Sequence, residues 1–317
     1  MGTSFDRDLS VRKQVAKLAT QGVYIGTSSS KYEGWLGQLY TPTRYEYRDK
    51  IATSRFERDC LAEYAKTFKT VCVDAAYYNF PGEKYLNDLV SQVPSDFRFG
   101  LKITDATTIK TFTTLPQHGA MAGQLNPDFL NPDLFAHRFL TPLEPSRSNV
   151  GVLMFEFSRF HSRDFARGRD FVEALDQFLS KIPKGWPYGI EMRNQNWLGP
   201  EYFDCLSRHN VTHVFNSWQA MPSIGEQMAI PGSRTNPGIV AARFLLKPGR
   251  KYEEAVKTFA PYQATKEANP EARQAGTALM LEALSRKGSK AYIYANYRLE
   301  GNALETISAM IAGVEAR

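Results

Sequence analysis

Cysteine is scarce: three in 317 residues, Cys60, Cys72 and Cys205, with no CxxC or other metal spacing. So few, in odd number, exclude a disulfide scaffold and suit buried thiols in a reducing compartment. No apolar run approaches the length of a membrane span, so no membrane partner is expected. The opening MGTSFDRDLSVRK has no apolar core, and Asp6 stands where a myristoylation signal needs Ser or Thr. A cytoplasmic protein is the expectation. Charge of one sign is not concentrated either. Lys and Arg total 39 against 33 Asp and Glu, a net +6 spread along the chain without a dense basic block. That balance describes an ordinary basic surface better than a nucleic-acid footprint. No stretch rich in Pro, Gly or Ser splits the chain, and no repeat recurs.

What the chain does have is a rhythm. Residues 1–21 are polar and form an N-terminal extension, a peripheral helix or arm. From residue 22 onward, eight β-rich runs follow: Val23–Thr27, Thr70–Tyr78, Phe97–Thr104, Val150–Phe157, Tyr188–Asn194, Val211–Ser217, Ile239–Leu246 and Ala291–Tyr297. Between them lie segments with helical spacing, such as Arg55–Phe68, where Phe56, Cys60, Leu61, Tyr64, Ala65 and Phe68 share a face. Further helices are expected at Pro81–Val93, Gly168–Leu179, Pro200–His209, Pro270–Arg286 and Gly301–Ala312. Residues 105–149, punctuated by Asn-Pro and Thr-Pro, read as a long loop with short helical pieces. Strands alternating with helices imply parallel pairing through crossovers. Eight of them predict a single-domain α/β fold, a (β/α)8 TIM barrel over residues 22–317 with long βα loops. An open doubly wound sheet is the alternative.

In such a barrel, chemistry belongs to the C-terminal ends of the strands. In order, those ends supply Ser28, Asp74, Lys102, Glu156, Glu191 with Arg193, Asn216, Arg243 and Asn296. Side chains alternate along a strand, so Gly189, Glu191 and Arg193 face one way and Ile190 and Met192 the other. Three acids (Asp74, Glu156, Glu191) balance three bases (Lys102, Arg193, Arg243). Two readings stand side by side: a salt-bridge network closing the barrel, and a pocket for a polar or anionic ligand. In the second, Arg193 and Arg243 clamp a phosphate or carboxylate. Lys102, desolvated, acts as a base or holds charge, and Glu191 or Glu156 becomes an acid or base if burial raises its pKa. Paired carboxylates also admit a glycosidase, whose carboxyl separation is not readable from sequence. The carboxylates suit Mg or Mn, but three nearby cations compete for them, and His161 and His137 read as loop residues; no metal or cofactor is expected. Aromatics beyond the strand ends, Trp35, Tyr78 and Trp197 among them, are placed to stack on a flat ligand or to pack the rim. Lys247, Arg250 and Lys251 form a basic loop at the same end.

Several linked segments carry a resemblance: GTSSSKYEGWLGQLYTP, TVCVDAAYYNFP, FRFGLKIT, VGVLMFEF, GIEMRNQNW and YANYRLEGNALETI, in order from about Tyr24 to Ile311. They resemble the family called domain of unknown function 72, or YecE-like. The resemblance implies a TIM barrel and no established activity. It puts Trp35, Tyr77, Tyr78, Lys102, Glu191, Arg193, Trp197, Arg243 and Asn296 on the family's motif positions. Asp74 stands where the family usually has Glu, Glu156-Phe-Ser-Arg159 where it has Gln-x-Pro-Pro, Asn216 where Asp is frequent, and Asn296-Tyr297 where it has paired Asn. The functional expectation is a small polar or anionic ligand at the C-terminal mouth, with a hydrolase or an isomerase as the reaction class. Nucleic acid bound by the rim aromatics and basic loops, by analogy with barrel endonucleases, is a second expectation. A non-catalytic scaffold is the third. On the first reading, Glu191→Gln and Arg193→Ala are expected to abolish binding with little change in melting temperature.

Overall fold

A computed structural model describes residues 4–114 and 116–316. Eight parallel strands close into a ring: β1 (Val23–Thr27), β2 (Thr70–Val73), β3 (Arg98–Lys102), β4 (Val150–Phe157), β5 (Tyr188–Met192), β6 (Thr212–Ser217), β7 (Ile239–Phe244) and β8 (Lys290–Ala295). Each pairs with the strands before and after it in sequence, and β8 returns to β1. This is the (β/α)8 barrel expected.

Most strands end earlier than their β-rich runs. The Thr70–Tyr78 run stops at Val73, and Ala75–Tyr78 coils into one helical turn. The aromatic pair there has high strand propensity, but propensity yields to tertiary context. Helices follow the strands at Thr53–Tyr64, Glu83–Val90, Gly168–Lys181, Pro200–Arg208, Ile224–Ala229, Pro270–Leu284 and Ala303–Glu315. Pro270 sits in the first turn, where its missing N–H is no loss, and the Asn269 side chain accepts from the Ala272 amide at 3.0 Å. A further helix, Tyr252–Phe259, continues directly from the basic loop and buries Ala255 and Phe259. Between β3 and β4 the chain runs through short helical turns.

Alternation along the strands divides the core. Tyr24, Cys72, Val152, Met154, Val214, Ala241, Tyr292 and Tyr294 fill the inside of the barrel. Ile25, Leu101, Phe155, Ile190, Phe215 and Ile293 face outward and pack under the helices in the larger cluster. The expected extension is the helix Ser4–Thr20, whose Val15 and Leu18 are buried. Gln14 in it donates to Glu315 of the last helix at 2.7 Å.

The ring is not closed by backbone alone. Between β1 and β2 the paired register is a single position, Thr27 with Val71. The Tyr64 hydroxyl enters this seam from the intervening helix. It accepts from the Thr27 amide at 2.9 Å and donates to the Thr70 carbonyl at 3.0 Å. Gly26 allows the close approach, since a Cβ there would overlap the Thr70 carbonyl. Among the described residues, no helix is long and apolar enough to cross a membrane.

Candidate functional site

The inward-facing set of the barrel interior extends upward by twos. Cys72 leads to Asp74, Gly100 to Lys102, Met154 to Glu156, Gly189 to Glu191 and Arg193, and Ala241 to Arg243. Register completes the placement: Glu156 lies beside Glu191, and Asn216 beside Arg243. Six charged side chains from five strands or their ends therefore meet at the C-terminal mouth.

Their contacts form one network. Glu156 Oε2 accepts from Lys102, Arg193 and Arg243, each at 2.8 Å. Glu191 takes Arg193 on Oε1 at 2.8 Å and Arg243 on Oε2 at 2.6 Å. Asp74 joins more loosely, 3.7 Å from Lys102 and 3.6 Å from Arg243. The Glu191 and Glu156 side chains are 0% and 4% exposed, whereas Asp74 is 44% exposed. Two carboxylates are sealed in, and the third faces solvent.

Electrostatics acts on Glu156, Lys102 and Arg243 in opposed ways. Burial alone would raise the Glu156 pKa, but Arg193, Lys102 and Arg243 outweigh it and hold the carboxyl well below its ordinary value. Burial likewise pushes Lys102 down, and Glu156 and Asp74 more than restore it, so its pKa is raised. Arg243 is raised too: burial pulls down, and Glu191 leads the charges that oppose it. Of the two readings of Lys102, these shifts favour the one in which it holds charge, and burial does not raise the Glu156 pKa, the condition on which its acid or base role rests. Glu191, expected as the acid or base, has both oxygens taken by guanidinium groups and no surface open to a ligand.

Around the network, Lys102 stands 3.9 Å over the Tyr77 ring and Arg193 4.2 Å over the Trp218 ring. Such contacts hold a cation while leaving its remaining donors free. Both are among the aromatics beyond the strand ends: Tyr77 is one of the motif positions named above, and Trp218 follows directly on the end of β6. Trp197 stacks on Phe160 and lines a crevice of about 110 Å³ with Arg193 and the exposed Arg159. Tyr78 is exposed on the rim, edge-on to Tyr77. Ser28 Oγ, Asn216 Oδ1 and Arg243 Nε are buried without hydrogen-bond partners among the described residues. Asn216 is otherwise held by Gln227, whose amide donates to its carbonyl at 2.6 Å.

Two other expected site residues have local partners of their own. Trp35 is fully buried against Tyr32 and Tyr297, a packing role rather than a stacking platform. Asn296 accepts from the Arg298 amide at 2.9 Å and stabilises its own turn. In the basic loop, Lys247 and Arg250 both bind Glu267, at 2.9 and 2.6 Å, which neutralises much of its charge. Among the described residues, the one group with three metal-type donors close together lies elsewhere, at Asp176, Cys205 and His209. There Arg208 reaches Asp176 at 3.2 Å and competes for the oxygen a cation would need.

Comparison with known proteins adds the following. A family model described as protein of unknown function DUF72 matches residues 24–317. Among solved structures, a DUF72 family protein from Thermotoga maritima MSB8 aligns with TM-score 0.60 and 19% identity, covering 92% of this chain and 99% of that one. A DUF72 family protein from Enterococcus faecalis V583 aligns with TM-score 0.59 and 18% identity, over 92% and 95% of the two chains. At such identity the likeness is one of fold. Comparison with curated proteins finds no match.

Proposed function

We propose that this chain, which belongs to the DUF72 family of unknown function, binds a small phosphate- or carboxylate-bearing compound at the C-terminal mouth of its barrel. The observation that carries this reading is an imbalance of charge with depth. Three cations, Lys102, Arg193 and Arg243, face only two buried carboxylates, Glu156 and Glu191. Among the described residues, the remaining positive charge is met by Asp74 alone, half-exposed and more than 3.5 Å away. An anionic group entering at Asp74 would meet cations with unspent attraction, inside walls of low dielectric that strengthen it. Arg159, exposed beside Arg193 on the crevice wall, adds a guanidinium at the entrance. Acid–base work on the bound ligand, of the hydrolase or isomerase kind, falls to Asp74, the one carboxylate of the network open to it.

The reading is tested by calorimetric titration of inorganic phosphate, citrate and a panel of phosphorylated and carboxylated compounds. Asp74→Asn removes the competing negative charge and tightens binding, while abolishing any turnover. Arg159→Ala weakens binding. Failure of the whole panel to bind, or affinities indifferent to both substitutions, removes the reading.

A further inference from the structure

The opposite end of the barrel carries a second feature. A cavity of about 930 Å³ opens at the N-terminal ends of β3–β8, within the size range of small-molecule sites. Its wall includes Arg98 at the start of β3 and Lys290 at the start of β8. Arg147, Lys184 and Arg208 come from the segments leading into β4, β5 and β6. No Asp or Glu is among its lining residues. Five cations around one hollow with no facing acid is unlike the mouth, where acids and bases interleave.

Some of these cations are tied back. Arg147 binds Glu144 at 2.9 Å and stacks 4.4 Å over Trp186, and Arg208 binds Asp176. The others have no carboxylate partner among the described residues. Arg98 donates to the Ser95 and Phe97 carbonyls, Lys184 to the Leu179 carbonyl, and the Lys290 ammonium to none. The floor is firm: Tyr292 crosses the barrel bottom onto Gly151, where a Cβ would lie 2.6 Å from its ring.

We propose that this cavity is a binding site for a small compound carrying two or more phosphate groups. A concave cluster of like charges with low-dielectric walls focuses its field on an anion inside it. Arginine forks match phosphate oxygens, and lysines add point charges at the rim. The breadth of the arc favours several charges over one. Its rings argue against nucleic acid: Tyr188 and Tyr292 are almost wholly buried, so neither offers a face for base stacking. This site is independent of the proposal for the mouth.

The probe is inorganic triphosphate, titrated without metal into wild type and two double variants while heat is recorded. Lys184→Glu with Lys290→Glu reverses two exposed cations of the cavity. Lys251→Glu with Lys257→Glu makes the same change in net charge on exposed positions beyond β7. A binding event is expected that the first pair weakens roughly tenfold or more and the second changes little. Binding that Asp74→Asn tightens and the first pair leaves unchanged belongs to the mouth and would overturn the proposal. Absence of binding to wild type, equal weakening by both pairs, or binding of long single-stranded RNA without binding of triphosphate would each overturn the proposal.

Discussion

Glu156 and Glu191 stand side by side on adjacent strands, and one nitrogen of Arg243 lies 2.8 Å from the first and 2.6 Å from the second. Like charges directly opposite on neighbouring strands repel. Here the repulsion is converted into a chelate for guanidinium groups, with Arg193 bridging the same two carboxylates from the other side.

Removing Arg243 leaves two buried carboxylates short of a partner. Arg243→Ala is expected to lower folding stability by about 3–5 kcal/mol in urea denaturation, the usual result of breaking a buried ion pair. Glu191→Gln is expected to be damaging for the same reason. Asp74→Asn, at a half-exposed position with longer contacts, should change stability by less than about 1 kcal/mol. Comparable losses in all three variants would contradict the division into a sealed core and an open edge.

Stability should depend on pH in two windows. Glu156 has a folded pKa depressed below its ordinary 4.5. Its contribution is therefore present above pH 4.5 and is lost as the pH falls through the lower folded value. Lys102 has a folded pKa raised above 10.5. Its contribution is complete below pH 10.5 and is lost as the pH rises beyond the folded value. Urea midpoints measured across pH should form a plateau between these limits. In Glu156→Gln the plateau is lower and the acid slope shallower; an unchanged acid slope would contradict the assignment.

Gly151 should resist enlargement. Gly151→Ala drives a methyl into the Tyr292 ring, a clash expected to cost about 1–3 kcal/mol. A double-mutant cycle with Tyr292→Leu should recover much of that penalty. If the two substitutions add independently, the contact across the barrel floor is not what excludes a side chain there.

All three thiols are buried, and burial pushes Cys60 up to about 11 and Cys72 and Cys205 up to about 12. The thiolate is the reactive form. Native protein at pH 8 should therefore leave all three unmodified by iodoacetamide over minutes, and denatured protein should react at each. Mass spectrometry after quenching reads the difference directly.

The barrel was legible because its strands are short apolar runs separated by stretches of helical spacing, and alternation within them pointed the same charged residues inward. Helix Tyr252–Phe259 escaped notice because KPGRKYEE reads as a charged loop, and its two buried residues, Ala255 and Phe259, make a weak stripe. At the site, residue types and direction were readable, but depth was not. Nothing local marks Glu191 as sealed and Asp74 as open, and the Arg243 partners lie 52 and 87 residues away in sequence. That depth reverses the expectation that Glu191→Gln would spare stability. Trp35 misled for a related reason: a Trp in a loop after a strand suits a rim or a core equally well.

The Tyr64 phenol at the β1–β2 seam also covers the edges of the sheet it joins. A sheet whose two borders are joined through a side chain has, in effect, a latch carried by another part of the chain. If the helix bearing it lifts, both borders present unpaired backbone to the surroundings, a template for a neighbouring copy. The seating of Thr53–Tyr64 thus guards against edge-to-edge association as well as contributing to the fold.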